Sequence, residues 1–201
     1  MKQRHRLCWR RGAGPFARPW LNTKKQKAVS IDDEWIETGE VGCRLLLHLP
    51  AKVVGRLAPS LFDELLALEA VAGLVVEPWA TPARQLSGIA ARATAQARAC
   101  LLVDAIETVR AVGAHGCHLS AWQKVRAARS TLPAGWILGA SCGKSRHAAM
   151  VAGEDGVDYV LFGALGQAAS DPERQSELVA WWAELFYLPV AVALGSEPAG
   201  F

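Results

Sequence analysis

Three short stretches hold residue types that could do chemistry together. Asp104 ends the apolar run ACLLVD, His118 lies in GCHLS, and Gly139-Ala-Ser-Cys-Gly143-Lys144-Ser145 follows WIL. A carboxylate at the end of a buried strand can hold Mg²⁺ or orient a substrate. The same carboxylate can also cap a helix beginning at Ala105. In the third stretch the glycines let the backbone approach a phosphate, helix N-terminal amides point at it, and Lys144 adds charge. The nucleotide-binding loop GxxxxGK[ST] needs four residues between its glycines, and Gly139 and Gly143 enclose three. The reading as a nucleotide loop is therefore rejected. A generic phosphate cup remains, beside an ordinary strand-to-helix turn capped by Ser141. His115 and His118 are three apart across a strand and so face opposite ways, which argues against a shared metal. His118 is either a ligand-cavity residue or a hydrogen-bonded core histidine.

These residues must be held by the elements around them. From residue 44 short runs rich in Val, Leu and Ile alternate with longer amphipathic stretches. Strands are expected at Arg44–Leu49, Gly73–Glu77, Ala99–Asp104, Gly116–Leu119, Trp136–Ala140, Tyr159–Gly163 and Pro189–Leu194. Between them lie helix signals: Ser60 as a cap, Thr81 as a cap before Pro82, a capping box from Ser120 to Gln123, and Asp171-Pro172-Glu173 opening the last helix. Trp181-Trp182 reads as core plus a partly exposed neighbour. Strands joined by helical crossovers imply a parallel sheet, either a (β/α)8 barrel or an open doubly wound sheet. An eight-unit barrel takes about 250 residues and this body has roughly 160, so counting favours the open sheet or an incomplete barrel. In both architectures ligands sit beyond the strand carboxyl ends. Those ends carry Glu77, Asp104, His118, Ser141 to Lys144, Gly163 to Gly166 and Gly195.

Composition narrows the class. The 201 residues are 51% hydrophobic, which excludes disorder along most of the length. No apolar run approaches the roughly 18 residues of a membrane span, so no membrane partner is expected. Five cysteines with no CxxC (Cys8, Cys43, Cys100, Cys117, Cys142) read as reduced thiols of a cytoplasmic protein. The net charge of +3 is uneven. Residues 1–30 hold nine Lys/Arg and no acid, whereas the remainder holds 13 basic against 19 acidic residues. Residues 1–40 are thus expected to be a basic, disordered extension to a domain at 41–201. An anion-binding arm, a transit peptide, and a start codon near Val29 or Val41 are the other readings of this head. Nucleic acid is not an expected partner of the body, which is mildly acidic.

The runs LLVD, AVGAHGCHLS, ILGASC, GVDYVLFGA and PVAVALG, in this order and at these intervals, resemble the thiamine phosphate synthase family with its thiazole tautomerase relatives. The resemblance spans residues 44–195 and is strongest from 99 to 163. It implies a TIM-barrel-type (β/α)8 fold, incomplete here at about seven β/α units because the chain ends at Phe201. Members join a pyrimidine diphosphate to a thiazole phosphate with Mg²⁺, or tautomerise the thiazole precursor. Carried over by residue, the resemblance makes Asp104 a metal ligand and His118, Gly139, Ser141, Gly163 and Gly195 binding residues for a small phosphorylated heterocycle. Lys144 joins them as the cation of the phosphate cup. The departures fall where the chemistry should be. The family's QxRxK diphosphate clamp aligns with Val76, Pro78 and Ala80, its second metal-ligand Asp with Gln123, and the tautomerase histidine with Gly143. The loop from Ala164 to Ser170 lacks the family's lysine. The expectation is a divergent family member whose catalysis is altered or lost, with no assignable catalytic residue. The alternative is a non-catalytic ligand-sensing or partner-binding barrel. Missing one strand, it would leave two apolar edges open, and a homo-oligomer is the expected consequence.

Overall fold

In the computed structural model, residues 43–167 and 171–194 are described. Seven strands lie in one sheet in chain order: β1 (Leu45–Leu49), β2 (Val71–Val76), β3 (Ala99–Val103), β4 (Gly116–Leu119), β5 (Ile137–Gly143), β6 (Tyr159–Phe162) and β7 (Val190–Val192). Every neighbouring pair is parallel. Helices fill the crossovers: α1 (Ala51–Val54), α2 (Pro59–Ala67), α3 (Ala83–Ala95), α4 (Ile106–Val112), α5 (Val125–Thr131), α6 (Arg146–Glu154) and α7 (Pro172–Leu185). Consecutive order without reversal is the topology of a barrel wall, not of a doubly wound sheet. The open-sheet alternative is set aside. Seven parallel β/α units form a curled, incomplete TIM-barrel-type fold.

Strand periodicity sorts the side chains into two layers. Leu74, Val76, Cys100, Leu102, Cys117, Leu119, Leu138, Ala140, Val160 and Phe162 point outward and pack beneath the helices. Their partners on the other parity, Leu46, Val75, Ala99, Leu101, Val103, Ile137, Tyr159 and Ala191, make a separate inner cluster. A central parallel strand is covered on both faces, and so β2 reads VAGLVV with every residue buried. Leu46 of β1 and Ala191 of β7 share the inner cluster, which shows how far the sheet curls. Leu165, in the loop between β6 and α7, joins the same cluster. The loop therefore folds over the centre of the barrel, with Gly166 lying against His48.

Three of the expected caps sit elsewhere. Pro82, not Thr81, occupies the N-cap of α3, and no side chain caps it. Ala58 precedes Pro59 at the start of α2, leaving Ser60 inside the helix. No capping box forms at Ser120, because a 3-10 turn at Trp122–Lys124 intervenes before α5. Asp171 does cap α7, accepting from the Arg174 N–H. Trp182 is buried and Trp181 half-buried, as the helical spacing predicts. The basic head, Cys8 and Gly195 lie outside the described residues.

Candidate functional site at the strand carboxyl ends

Inward parity decides which polar groups the barrel holds. On β4 and β5 the inward positions near the carboxyl ends are His118 and Ser141, and on β6 the first inward position is Tyr159. These three meet. His118 Nε2 lies 3.0 Å from Ser141 Oγ, and His118 Nδ1 lies 2.7 Å from the Tyr159 hydroxyl. The imidazole is wholly buried. Burial pushes its pKa down to about 4, with Asp104 pulling the other way and His48 adding to the depression. It is neutral at pH 7 and carries one ring N–H. Burial also raises the Tyr159 phenol above its ordinary range, so its proton stays. His115 does face away from His118, its ring bonded to Thr94 Oγ1 and to the Cys100 N–H.

Gly139 is one layer below Ser141, inside β5 rather than in a loop. Its register partner is Tyr159. A Cβ at Gly139 would collide with the Tyr159 ring and hydroxyl, so this glycine makes room for the ring. The expected turn capped by Ser141 is displaced as well: Ser145 caps α6, accepting from the Ala148 N–H.

Ser141 and Gly163 line one cavity of about 290 Å³ together with Ser120, Gln123, Gly143 and Ala164. Gly163, at φ +99°, turns the chain where β6 ends, a conformation that favours glycine. His118 sits beneath this cavity, bonded to Ser141. Lys144 follows Gly143 but does not line the cavity, and it points to Asp171, with 4.0 Å between Nζ and Oδ2. Asp104 lines a neighbouring cavity of about 320 Å³ with Glu107, Leu119 and Lys124. At φ +47° its backbone is left-handed. Its Oδ1 accepts the Ser120 N–H at 3.1 Å, and the cap position of α4 falls to Ala105. The Ser120 main chain thus separates Asp104 from the Ser141 cavity.

These donors do not make a magnesium site by themselves. Mg²⁺ takes octahedral oxygen ligands, with one or two carboxylates supplemented by substrate phosphates and waters. One oxygen of Asp104 is engaged by Ser120, and Gln123, where the second carboxylate would be, opens on the other cavity. Among the described residues no group of three His, Cys, Asp or Glu side chains could hold a metal ion.

Parity also bears on the clamp position. Val76 is buried in the outer layer, under the helices, and so does not face the mouth. The inward positions of β2 are Val75 and, just past its end, Glu77. The polar side chain at the end of β2 is thus a carboxylate, next to the Val76, Pro78 and Ala80 that the clamp was expected to match. Glu77 Oε1 is 3.2 Å from His48 Nε2, and Oε2 accepts the Ala51 N–H at 3.0 Å. Tyr159 and the contact of His48 with the strand-end Glu77 escape a reading based on motifs. Their signal is parity: all three are polar side chains at inward positions of otherwise apolar strands.

Parallel β/α units curled around polar groups at their carboxyl ends define a TIM-barrel-type protein with a small polar cup. The chain belongs to the thiamine monophosphate synthase (TMP-TENI) family, whose pattern matches residues 80–199. It is 41% identical over 120 residues to the thiamine-phosphate synthase of Hyphomonas neptunium, covering 56% of this chain and 53% of that protein. It is 38% identical over 110 residues to that of Rhodospirillum centenum, covering 52% and 53%. The chain therefore spans about half the length of the curated relatives it matches. Among solved structures, thiamine phosphate pyrophosphorylase from Pyrococcus furiosus superposes with a TM-score of 0.59 at 18% identity, over 77% of this chain and 75% of that one. A citrate synthase variant superposes at 0.50 and 12% identity, over 76% and 87%. At such identities the likeness is one of fold, and the fold hosts many chemistries.

Proposed function

We propose that this protein binds a phosphorylated thiazole or pyrimidine at the strand carboxyl ends, as a cytoplasmic protein of thiamine biosynthesis whose transferase turnover is altered or lost. One observation carries the second half of this reading: the polar side chain at the end of β2 is Glu77, bonded to His48, while Val76, Pro78 and Ala80 offer none of the polar groups of a diphosphate clamp. Departure of diphosphate requires its growing charge to be neutralised by cations placed in advance. A carboxylate there works against that requirement. Binding of a monophosphate asks for less. The cup lined by Ser120, Ser141, Gly143 and Gly163 offers small groups that let a ligand come close, and Lys144 is the next residue after Gly143. Any magnesium would have to arrive with the ligand's own phosphate oxygens. Buried thiols at Cys100, Cys117 and Cys142, each pushed up to about 12 by burial, suit a reducing compartment. No helix of the described residues is long and apolar enough to cross a membrane.

The rival reading is a barrel that senses a ligand or binds a partner without chemistry. Leu165 favours it, since this apolar side chain packs against the inner cluster from the loop after β6. Calorimetric titration with thiazole phosphate tests the proposal. Saturable binding is expected, weakened several-fold in Ser141→Ala. Absence of heat up to millimolar ligand would overturn the binding half and leave the partner reading.

A further inference from the structure

We propose that Tyr159 is a positioning residue: through His118 it fixes Ser141 as a hydrogen-bond donor to the ligand in the strand-end cup. Among the described residues the Tyr159 hydroxyl has one hydrogen-bond partner, His118 Nδ1 at 2.7 Å. Around it are Val75, Leu101, Val103 and Ile137, all apolar. A hydrogen-bond chain of Tyr, His and Ser can run in two directions. In one, Ser141 donates to Nε2 and Nδ1–H donates to the phenol oxygen. The phenol hydrogen then points into hydrocarbon, and a buried donor without an acceptor is strongly disfavoured. In the other, Tyr159 donates to Nδ1, and Nε2–H donates to Ser141 Oγ. Every buried hydrogen in the chain is then used, and the serine hydroxyl hydrogen is left over. Ser141 lines the cup shared with Gly143 and Gly163, so that hydrogen has a direction in which to be donated. Burial keeps His118 neutral, which leaves the ring a single N–H to place.

The direction has a chemical consequence. A serine that only accepts would repel an anionic oxygen. One whose lone pair is already occupied by Nε2–H, and whose hydrogen is free, prefers such an oxygen. The arrangement also denies Ser141 a general base, because Nε2 is protonated. Ser141 is thereby a binding group and not an activated nucleophile, although Ser–His proximity at 3.0 Å alone would suggest the latter. Gly139 belongs to the same device, since only a residue without Cβ leaves space for the Tyr159 ring. The ligand half of this inference rests on the proposed function, whereas the direction of the chain does not.

Nitrogen-15 NMR of histidine-labelled protein at pH 7 decides the direction without any ligand. The chain has five histidines, and the His118 signals are identified by their loss in His118→Gln. The expected result is a single tautomer with Nε2 protonated and Nδ1 bare, giving way in Tyr159→Phe to a mixture or a shifted Nδ1 signal. A wild-type Nδ1–H tautomer at His118 overturns the proposal whether or not Tyr159→Phe folds. Thiazole phosphate is then titrated into wild type, Tyr159→Phe, Ser141→Ala and the double variant. Tyr159→Phe is expected to weaken binding about two- to tenfold and to add nothing once Ser141 is gone. Additive losses would overturn the action through Ser141 and reduce Tyr159 to a packing residue. If wild type fails to bind, the proposed function falls, and the tautomer alone judges the relay.

Discussion

His118 refuses a proton that the unfolded chain accepts. Its folded pKa is about 4 against an ordinary 6.5, and the cause is burial. Between those two values the unfolded state binds more protons, so stability rises with pH across the window. The contribution is full above pH 6.5 and is lost as the pH falls toward 4, with a limiting slope of about 1.4 kcal/mol per pH unit. His115 is depressed by burial too and acts with the same sign. Urea unfolding of His118→Gln should therefore show a shallower fall between pH 6.5 and 4.5 than wild type, and equal slopes would contradict the burial argument. Gly139 gives a second expectation at this scale. Gly139→Ala forces the Tyr159 ring from its place in a packed layer, costing about 1–3 kcal/mol in urea unfolding. A neutral substitution would mean that the ring has somewhere else to go.

Asp158 shows how elements are joined. Its buried carboxylate accepts the Leu138 N–H of β5 at 2.8 Å and stands 3.3 Å from Arg129 Nη1 of α5, just before β6 begins. Arg129 also donates to the carbonyls of Pro133 and Trp136. Asp158→Ala leaves an amide and a guanidinium facing a cavity, and should cost about 3 kcal/mol by denaturant unfolding. A loss below about 1 kcal/mol would show that water replaces the carboxylate.

The seven strands were legible because apolar runs with turn signals between them are local, and each observed strand overlaps its expected range. The caps at Ser60, Thr81 and Ser120 were not. Capping depends on where the chain enters the helix, which packing sets: Pro59 and Pro82 move the entry points, and Asp104 takes up the Ser120 N–H. For the site, motif spacing places Ser141 and Gly163 in one cavity but misses what lies beneath it. Tyr159 reads as an ordinary strand residue until its register against Gly139 is known.

At the largest scale, the described residues form a barrel wall with two ends. Among the described residues β1 and β7 each pair with one neighbour, and unpaired backbone edges invite pairing with another chain. Sedimentation at micromolar concentration is expected to show self-association. A compact monomer with protected amides in β1 and β7 would contradict it. At this scale the charge of the mouth also matters more than any one residue. Glu77 and Asp104 stand at the ends of β2 and β3, and Lys144, just past β5, is drawn toward Asp171. The proposed function follows from such a mouth: acceptance of a monophosphate, and little help to a departing diphosphate. The most direct test is formation of thiamine phosphate by the purified protein supplied with pyrimidine diphosphate, thiazole phosphate and Mg²⁺, beside the Hyphomonas neptunium enzyme. The expected rate is lower by about a thousandfold or more, the consequence of several kcal/mol of lost transition-state stabilisation. A rate within about tenfold of that enzyme would contradict the account, since Glu77 would then be no obstacle to diphosphate chemistry.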